Sequence, residues 1–256
     1  MTAIPYQDII KAAQDAGDAI MAVYARDFEV YQKTDDSPLT EADLAAHRVI
    51  VEALERLTPE LPILSEESEN APWEERQKWD RYWLVDPLDG TKEFVKKNGE
   101  FTVNIALIDQ GEPVWGVVHA PALGSTYHGG TATGGAWKIS NAEETAITAS
   151  PAPEGKTGWR LVGSRSHQSE AFKAFVAKFD NPEIKSVGSS LKICLIAEGE
   201  ADLYPRLGPT CEWDTGAAHA VLLGAKGQLN VAETDKPLRY NQEDSVLNPF
   251  FIAKGQ

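Results

Sequence analysis

Cysteine is nearly missing from this sequence: Cys194 and Cys211 are the only two among 256 residues. Two thiols do not make a disulfide scaffold, and a reducing compartment is the simpler expectation. Cations are also short, with 24 Lys and Arg against 39 Asp and Glu and a formal net charge of −15. That deficit excludes a protein that wraps nucleic acid polymers, and it disfavours adhesion to an anionic membrane. No apolar run reaches about 18 residues, so no transmembrane segment is expected. The opening MTAIPYQDII lacks the basic start and long apolar stretch of a signal peptide. Internal repeats and low-complexity tracts are absent as well. A soluble, cytoplasmic, acidic protein is the expectation.

What is present is ordinary for a globular chain: 42% hydrophobic and 25% charged residues. At about 150 residues per domain, the length suggests one large domain or two small ones. Helical spacing of Ile9, Ile10, Ala13, Ile20, Val23 and Tyr24 predicts a helix over roughly 5–27, started by Pro5. A turn-rich loop (33–38) and a second helix over 40–57 follow. Strand-like runs come next at 62–64, 82–85, 102–108 and 114–119, the last two joined as a hairpin through Gln110-Gly111-Glu112. Short strands continue through 125–139. The Pro- and Gly-rich stretch 149–158 is the candidate boundary. Beyond it the pattern alternates: strand 159–163, helix 168–179, strand 184–187, helix 190–198, strand 201–204, helix 213–224 and a strand near 228–232. This reads as an α+β half (1–150) ahead of an α/β half (151–256) sharing a cleft.

The segment from Trp83 to Phe94, WLVDPLDGTKEF, carries the most chemistry. An apolar strand ends at Asp86, Pro87 presets a turn and Gly90 can close it. Such a turn puts the Asp86 and Asp89 carboxylates and the Leu88 carbonyl on one side, and a helix near Thr91 offers free N–H groups to a phosphate. Those are hard oxygen ligands beside an anion site; a β-turn with capping aspartates describes the same residues. Glu66 and Glu67 follow a strand, though Glu69, Glu74 and Glu75 allow a plain acidic loop. Within a helix over 213–224, Ala217, Ala218, Val221 and Leu222 put Asp214 on the apolar stripe. A buried carboxylate there needs a partner or a metal; a capping or helix-dipole role is the alternative. Thr40 to Asp43 resembles a capping box, which alone accounts for Asp43. Ser164 and His167 lie in a loop after a strand, able either to contact a base or phosphate or merely to turn the chain.

Together, Ser65-Glu66-Glu67-Ser68, Trp83 to Phe94, and Glu212-Trp213-Asp214-Thr215-Gly216-Ala217-Ala218-His219-Ala220-Val221 resemble the inositol monophosphatase superfamily of Mg²⁺-dependent, lithium-sensitive phosphomonoesterases. Gly90-Thr91-Lys92-Glu93-Phe94, Val187 to Lys192, and Asp202 to Thr210 are similar to its 3'(2'),5'-bisphosphate nucleotidase branch. The resemblance implies the layered αβαβα sandwich of the sugar phosphatases, an α/β (α+β) fold. It implies two or three Mg²⁺ ions held by Glu66, Asp86, Asp89, Asp214 and the Leu88 carbonyl, with Glu67 a weaker candidate. Thr91 and Asp43 would orient and deprotonate the attacking water. The Gly90 and Thr91 amides would hold the phosphate being cleaved, and Ser189, Lys192 and Arg206 would face the rest of a small phosphorylated nucleotide. The implied reaction is hydrolysis of adenosine 3',5'-bisphosphate to AMP by metal-activated water, with no phosphoenzyme and a place in sulfur metabolism. Inositol monophosphate or fructose 1,6-bisphosphate hydrolysis is the alternative, and a non-catalytic acidic metal-binding protein the remote one. A monomer or homodimer is implied, with loose attachment to the inner membrane face the alternative to a free cytoplasmic protein. One departure is Gly224-Ala225-Lys226-Gly227, where relatives often carry Ala-Gly-Gly; it puts no ligand in doubt.

The five histidines play no part in that ligand set, as expected for Mg²⁺, which prefers oxygen. Residues 60–93 hold ten acidic side chains against four basic ones, so part of the −15 is gathered at the proposed site.

Overall fold

The computed structural model describes residues 3–32, 38–69, 71–164 and 169–256. Helix α1 (Tyr6–Tyr24) buries Ile9, Ile10, Ala13, Ala16 and Ile20 along one stripe. An antiparallel ribbon of β1 (Val30–Gln32) and β2 (Pro38–Thr40) leads into α2 (Glu41–Leu57), which buries Ala42, Ala46, Ile50 and Leu54. The expected capping box is present, with Asp43 accepting from the Thr40 backbone N–H at 2.7 Å.

Next come β3 (Ile63–Ser65), the short α3 (Trp73–Arg76), β4 (Arg81–Asp89), α4 (Thr91–Val95), β5 (Thr102–Asp109) and β6 (Glu112–Ala120). With β7 (Ser125–Gly130), β8 (Gly135–Ser140) and β9 (Glu143–Ile147) they form a seven-stranded sheet in chain order. Only the β3–β4 pair in it is parallel. Strand β9 escaped the sequence reading because its Glu143-Glu144 start is exposed, as suits an edge strand defended by charge.

The second sheet collects β10 (Arg160–Gly163), β11 (Glu183–Ser186), β12 (Leu203–Arg206), β13 (Gln228–Val231) and β14 (Phe251–Lys254), ordered β11-β10-β12-β14-β13. Helices α5 (Glu170–Val176) and α6 (Leu191–Ala197) make its crossovers, and α7 (Gly216–Gly224) follows β12. From β10 to β11 the chain steps one way, and from β11 to β12 it steps back. Right-handed crossovers therefore put α5 and α6 on opposite faces. Helices α6 and α7 pack together, α7 contacting β5, β6 and β7 of the first sheet and β13 of the second. The layers are thus α1/α2, seven strands, α6/α7, five strands and α5, the expected αβαβα sandwich. One apolar cluster, including Trp83, Val85 and Trp115, fills the α1/α2 side. Another, including Leu84, Ile108, Ala218 and Val221, surrounds α7. Among the described residues no helix is long and apolar enough to cross a membrane.

The helix expected over 213–224 is interrupted. Glu212–Asp214 is a separate 3₁₀ turn, and α7 begins at Gly216. Thr215 breaks the run at φ −120°, ψ −31°. Asp214 therefore stands one turn ahead of the apolar stripe instead of on it.

Helix α7 approaches the first sheet closely at Gly116, where an added Cβ would lie 2.4 Å from the Ala217 carbonyl oxygen. Two main chains meet there, so no side-chain rotation relieves the clash. Gly116→Ala is expected to lower stability by about 1–3 kcal/mol and to lower Tm. Thermal unfolding checks this, and an unchanged Tm would mean that α7 can shift freely.

Candidate active site

Four segments converge where the two sheets meet. Strand β4 delivers Asp86 and Asp89 across a register shift between them, an irregularity of the kind that re-aims side chains. The 3₁₀ turn before α7 delivers Asp214, the end of β3 delivers Glu66, and α2 delivers Asp43. One carboxylate oxygen from each of Asp86, Asp89 and Asp214 lies within 4.8 Å of the others. Glu66 faces Asp86 closely enough to hydrogen-bond with it. Glu67 is half-buried beside Glu66 and is not one of the three clustered residues.

Burial and crowding disfavour negative charge here. Asp86 is raised well above the usual carboxylate range by burial, then by Glu66, Asp89 and Asp214. Burial and Asp89 push Asp214 up to about 8. Burial raises Asp89 to about 6, opposed by Lys192 and by the Ser190 N–H. An all-oxygen, acidic donor set, with Asp86 buried and Asp89 and Asp214 half-buried, suits a hard divalent cation.

The local folding explains the placement. Gly90 adopts φ +91°, a left-handed turn that admits α4, and its missing Cβ would lie 3.0 Å from the Glu100 carbonyl oxygen. The Leu88 N–H donates to Asp86 Oδ1 at 3.0 Å. The Thr91 hydroxyl lies 3.2 Å from the Leu88 carbonyl and 3.3 Å from Asp43 Oδ1. Asp43 Oδ2 accepts from both the Thr40 N–H and the Thr40 hydroxyl at 2.7 Å. Asp43 thus caps α2 and faces Thr91 at the same time. The two readings of the capping box are compatible.

Asp214 Oδ2 accepts from the Cys211 N–H at 3.0 Å. Behind that turn the buried Glu212 accepts from Asn241 N–H at 2.8 Å. Arg76 in turn donates to the Asn241 side chain at 2.7 Å. The second half closes the site through residues 187–192. Ser190 N–H donates to Asp89 Oδ2 at 2.6 Å, and the Ser190 hydroxyl meets Thr102 at 2.9 Å and Asn104 at 2.8 Å. Gly188 N–H donates to Glu100 at 2.9 Å. Ser189 sits at φ +48°, a left-handed conformation uncommon for serine.

A cavity of about 160 Å³ runs from Asp89, Gly90 and Asp214 to Ser164, Lys192 and Arg206. Ser189 also lines it. The expected cations therefore do reach the cleft. Lys192 is buried, its Nζ donating to the carbonyls of Ser189 at 2.6 Å and Val187 at 3.3 Å. Burial lowers its pKa to about 8, with Asp89 pulling the other way. Arg206 donates to the Pro209 carbonyl at 2.6 Å, and its Nε has no hydrogen-bond partner among the described residues. His167 lies outside the described residues.

Sequence reasoning missed Ser190, Thr102, Asn104, Glu100 and Tyr204, which lines the cleft with the Lys192 ammonium 5.6 Å from its ring. Their signal is long-range: Ser190 and Asp89 are 101 residues apart. No local spacing could have paired them.

A model of the inositol monophosphatase family matches residues 6–249. A protein of Salmonella typhimurium named 3'(2'),5'-bisphosphate nucleotidase CysQ is 50% identical over 247 residues, covering 96% of this chain and 97% of that one. The crystal structure of CysQ from Bacteroides thetaiotaomicron, described as a bacterial member of that family, matches with a TM-score of 0.85 at 40% identity, covering 97% of this chain and 96% of the other. An IMPase structure from Thermotoga maritima matches with a TM-score of 0.75 at 25% identity, covering 96% and 89% respectively.

The raised carboxylates set the pH dependence of the cation-free protein. The folded state holds protons on Asp86 and Asp214 that the unfolded chain releases near pH 4, so stability falls as pH climbs from about 4 toward 8. The Tm of the cation-free protein is expected to drop between pH 5 and 8, and 5 mM Mg²⁺ to restore more at pH 8 than at pH 5. Scanning calorimetry checks both, and a fall as large in Asp214→Asn as in the unchanged protein would contradict the clustering, since His219, His119 and His47, lowered by burial, act in the opposite sense in both.

Proposed function

This chain belongs to the inositol monophosphatase family, and from that premise we propose that it is a 3'(2'),5'-bisphosphate nucleotidase releasing phosphate from adenosine 3',5'-bisphosphate to leave AMP. The observation that carries the proposal is 50% identity over nearly the full length to a nucleotidase. The gap between 40% identity to CysQ and 25% to the IMPase supports this branch over inositol phosphate hydrolysis.

The residues divide the work by charge. Glu66, Asp86, Asp89, Asp214 and the Leu88 carbonyl would hold two or three Mg²⁺ ions, with Glu67 in support. Bound Mg²⁺ neutralises phosphate charge and acidifies water. Asp43, facing the Thr91 hydroxyl at 3.3 Å, takes a proton passed through that hydroxyl from the attacking water. The Gly90 and Thr91 amides hold the phosphate being cleaved. At the other end of the cavity, Ser189, Lys192 and Arg206 bind the phosphate that is kept, with Ser164 beside the nucleotide. An ammonium carries three donors, and the two carbonyls leave Lys192 one for an anion. Arg206 lines the same end of the cavity and brings a second positive charge to it.

Phosphate release from adenosine 3',5'-bisphosphate, inositol 1-phosphate and fructose 1,6-bisphosphate, each with and without Mg²⁺, tests the proposal. Mg²⁺-dependent release is expected to be fastest from the nucleotide. Faster release from inositol 1-phosphate would overturn the nucleotidase reading, and no release from any of the three would overturn the enzyme reading. Thr91→Ala is expected to lower kcat by about 10²- to 10⁴-fold, the usual range for a lost proton-transfer group. Near-normal kcat would remove Thr91 from the proton path.

A further inference from the structure

Asp214 stands on a single 3₁₀ turn, Glu212–Asp214, and one turn has too few hydrogen bonds to hold its own shape. Residues 241–248 run against it and supply what it lacks. Glu212 N–H donates to the Val246 carbonyl at 2.8 Å, and Cys211 pairs with Leu247 in an antiparallel bridge. Asn248 N–H donates to the Thr210 carbonyl at 2.9 Å. That carbonyl shares a peptide plane with the Cys211 N–H, which donates to Asp214 Oδ2 at 3.0 Å.

The side chain of Asn248 adds a second hold. It is buried, and its Nδ2 lies 2.7 Å from the Cys211 carbonyl, 3.1 Å from the Thr215 hydroxyl and 3.3 Å from the Thr210 hydroxyl. A carbonyl only accepts, so the amide nitrogen must face the turn and the amide oxygen must face away. The nitrogen carries two hydrogens, and the two nearer acceptors flank Asp214 in the chain. The Thr215 hydroxyl passes the restraint on, donating to the Glu212 carbonyl at 3.1 Å. One planar amide therefore ties down the turn both before and after Asp214. Asn248 does not line the catalytic cleft.

We propose that Asn248 is a positioning residue of the cation site, its side-chain amide holding the Asp214 carboxylate toward Asp86 and Asp89 through the main chain of Cys211. The proposal rests on the reading of Asp214 as a cation ligand. Crowded carboxylates push one another apart, so a ligand on a lone turn needs a restraint from outside that turn. Groups that orient metal ligands in this way act on cation affinity, not on stability alone.

Calorimetric titration with Mg²⁺ of the cation-free protein, Asn248→Ala, Asp214→Asn and Ile20→Ala tests the assignment. Asn248→Ala is expected to weaken Mg²⁺ binding about tenfold or more, the usual effect of losing a group that orients a metal ligand. Ile20→Ala, which removes buried contacts of α1, is expected to lower Tm and leave Mg²⁺ affinity unchanged. Asp214→Asn weakened beside an unaltered Asn248→Ala would overturn the positioning role alone, as would an equal weakening in Ile20→Ala. Absence of Mg²⁺ binding by the unchanged protein, or full affinity in Asp214→Asn, would overturn the cation reading and this proposal with it. The ¹⁵N resonance of the Asn248 side-chain amide needs no variant. It is expected to shift on adding Mg²⁺ to the unchanged protein, and an unmoved resonance would overturn the proposal even if Asn248→Ala fails to fold.

Discussion

Mutual repulsion among crowded, largely desolvated carboxylates is the constraint around which this molecule is arranged. Asp86, Asp89 and Asp214 offer oxygens within 4.8 Å of one another, and Glu66 presses on the same group. In a low-dielectric setting such charges cannot all persist, so protons or a cation must offset them. The fold imposes the crowding from several directions at once. The Leu88 N–H fixes Asp86, the Ser190 N–H fixes Asp89 and the Cys211 N–H fixes Asp214. Each bond comes from backbone, so the carboxylates cannot rotate apart without losing it.

The same bonds join the two sheets. Ser190 belongs to the turn before α6, yet its amide reaches Asp89 and its hydroxyl reaches Thr102 and Asn104 on β5. Holding Asp89 thereby brings Lys192 and Arg206 into the cleft wall. Acid at one end and cations at the other suit a substrate with two phosphates: one end needs a metal to accept it, and the other does not. The net charge of −15 therefore describes the surface an approaching nucleotide meets less well than this local division does.

Much of the site was legible where chemistry is local in sequence. Trp83 to Phe94 carries its strand, its turn, its glycine and three of the proposed ligands within twelve residues, and the structure keeps that order. Asp43 was legible as a cap, and only its 3.3 Å approach to Thr91, 48 residues away, gives it a further use. The Asp214 helix was drawn too early because its apolar spacing continues through Thr215 while the backbone does not. Strand β14 was missed since a short C-terminal run takes its meaning from β12 and β13 on either side. Lys192 was legible as a cation of the cleft, but its ties to the Ser189 and Val187 carbonyls were not, because they depend on the strained turn at Ser189.

Proton release on cation binding tests the crowding most directly. Titration of the cation-free protein with Mg²⁺ at pH 7, by calorimetry in buffers of differing ionisation enthalpy, counts the protons displaced. With Asp86 raised well above its usual range and Asp214 near 8, the account predicts release of about one proton or more, reduced in Asp214→Asn. Heats that are the same in every buffer would contradict it, since the carboxylates would then already stand ionised side by side.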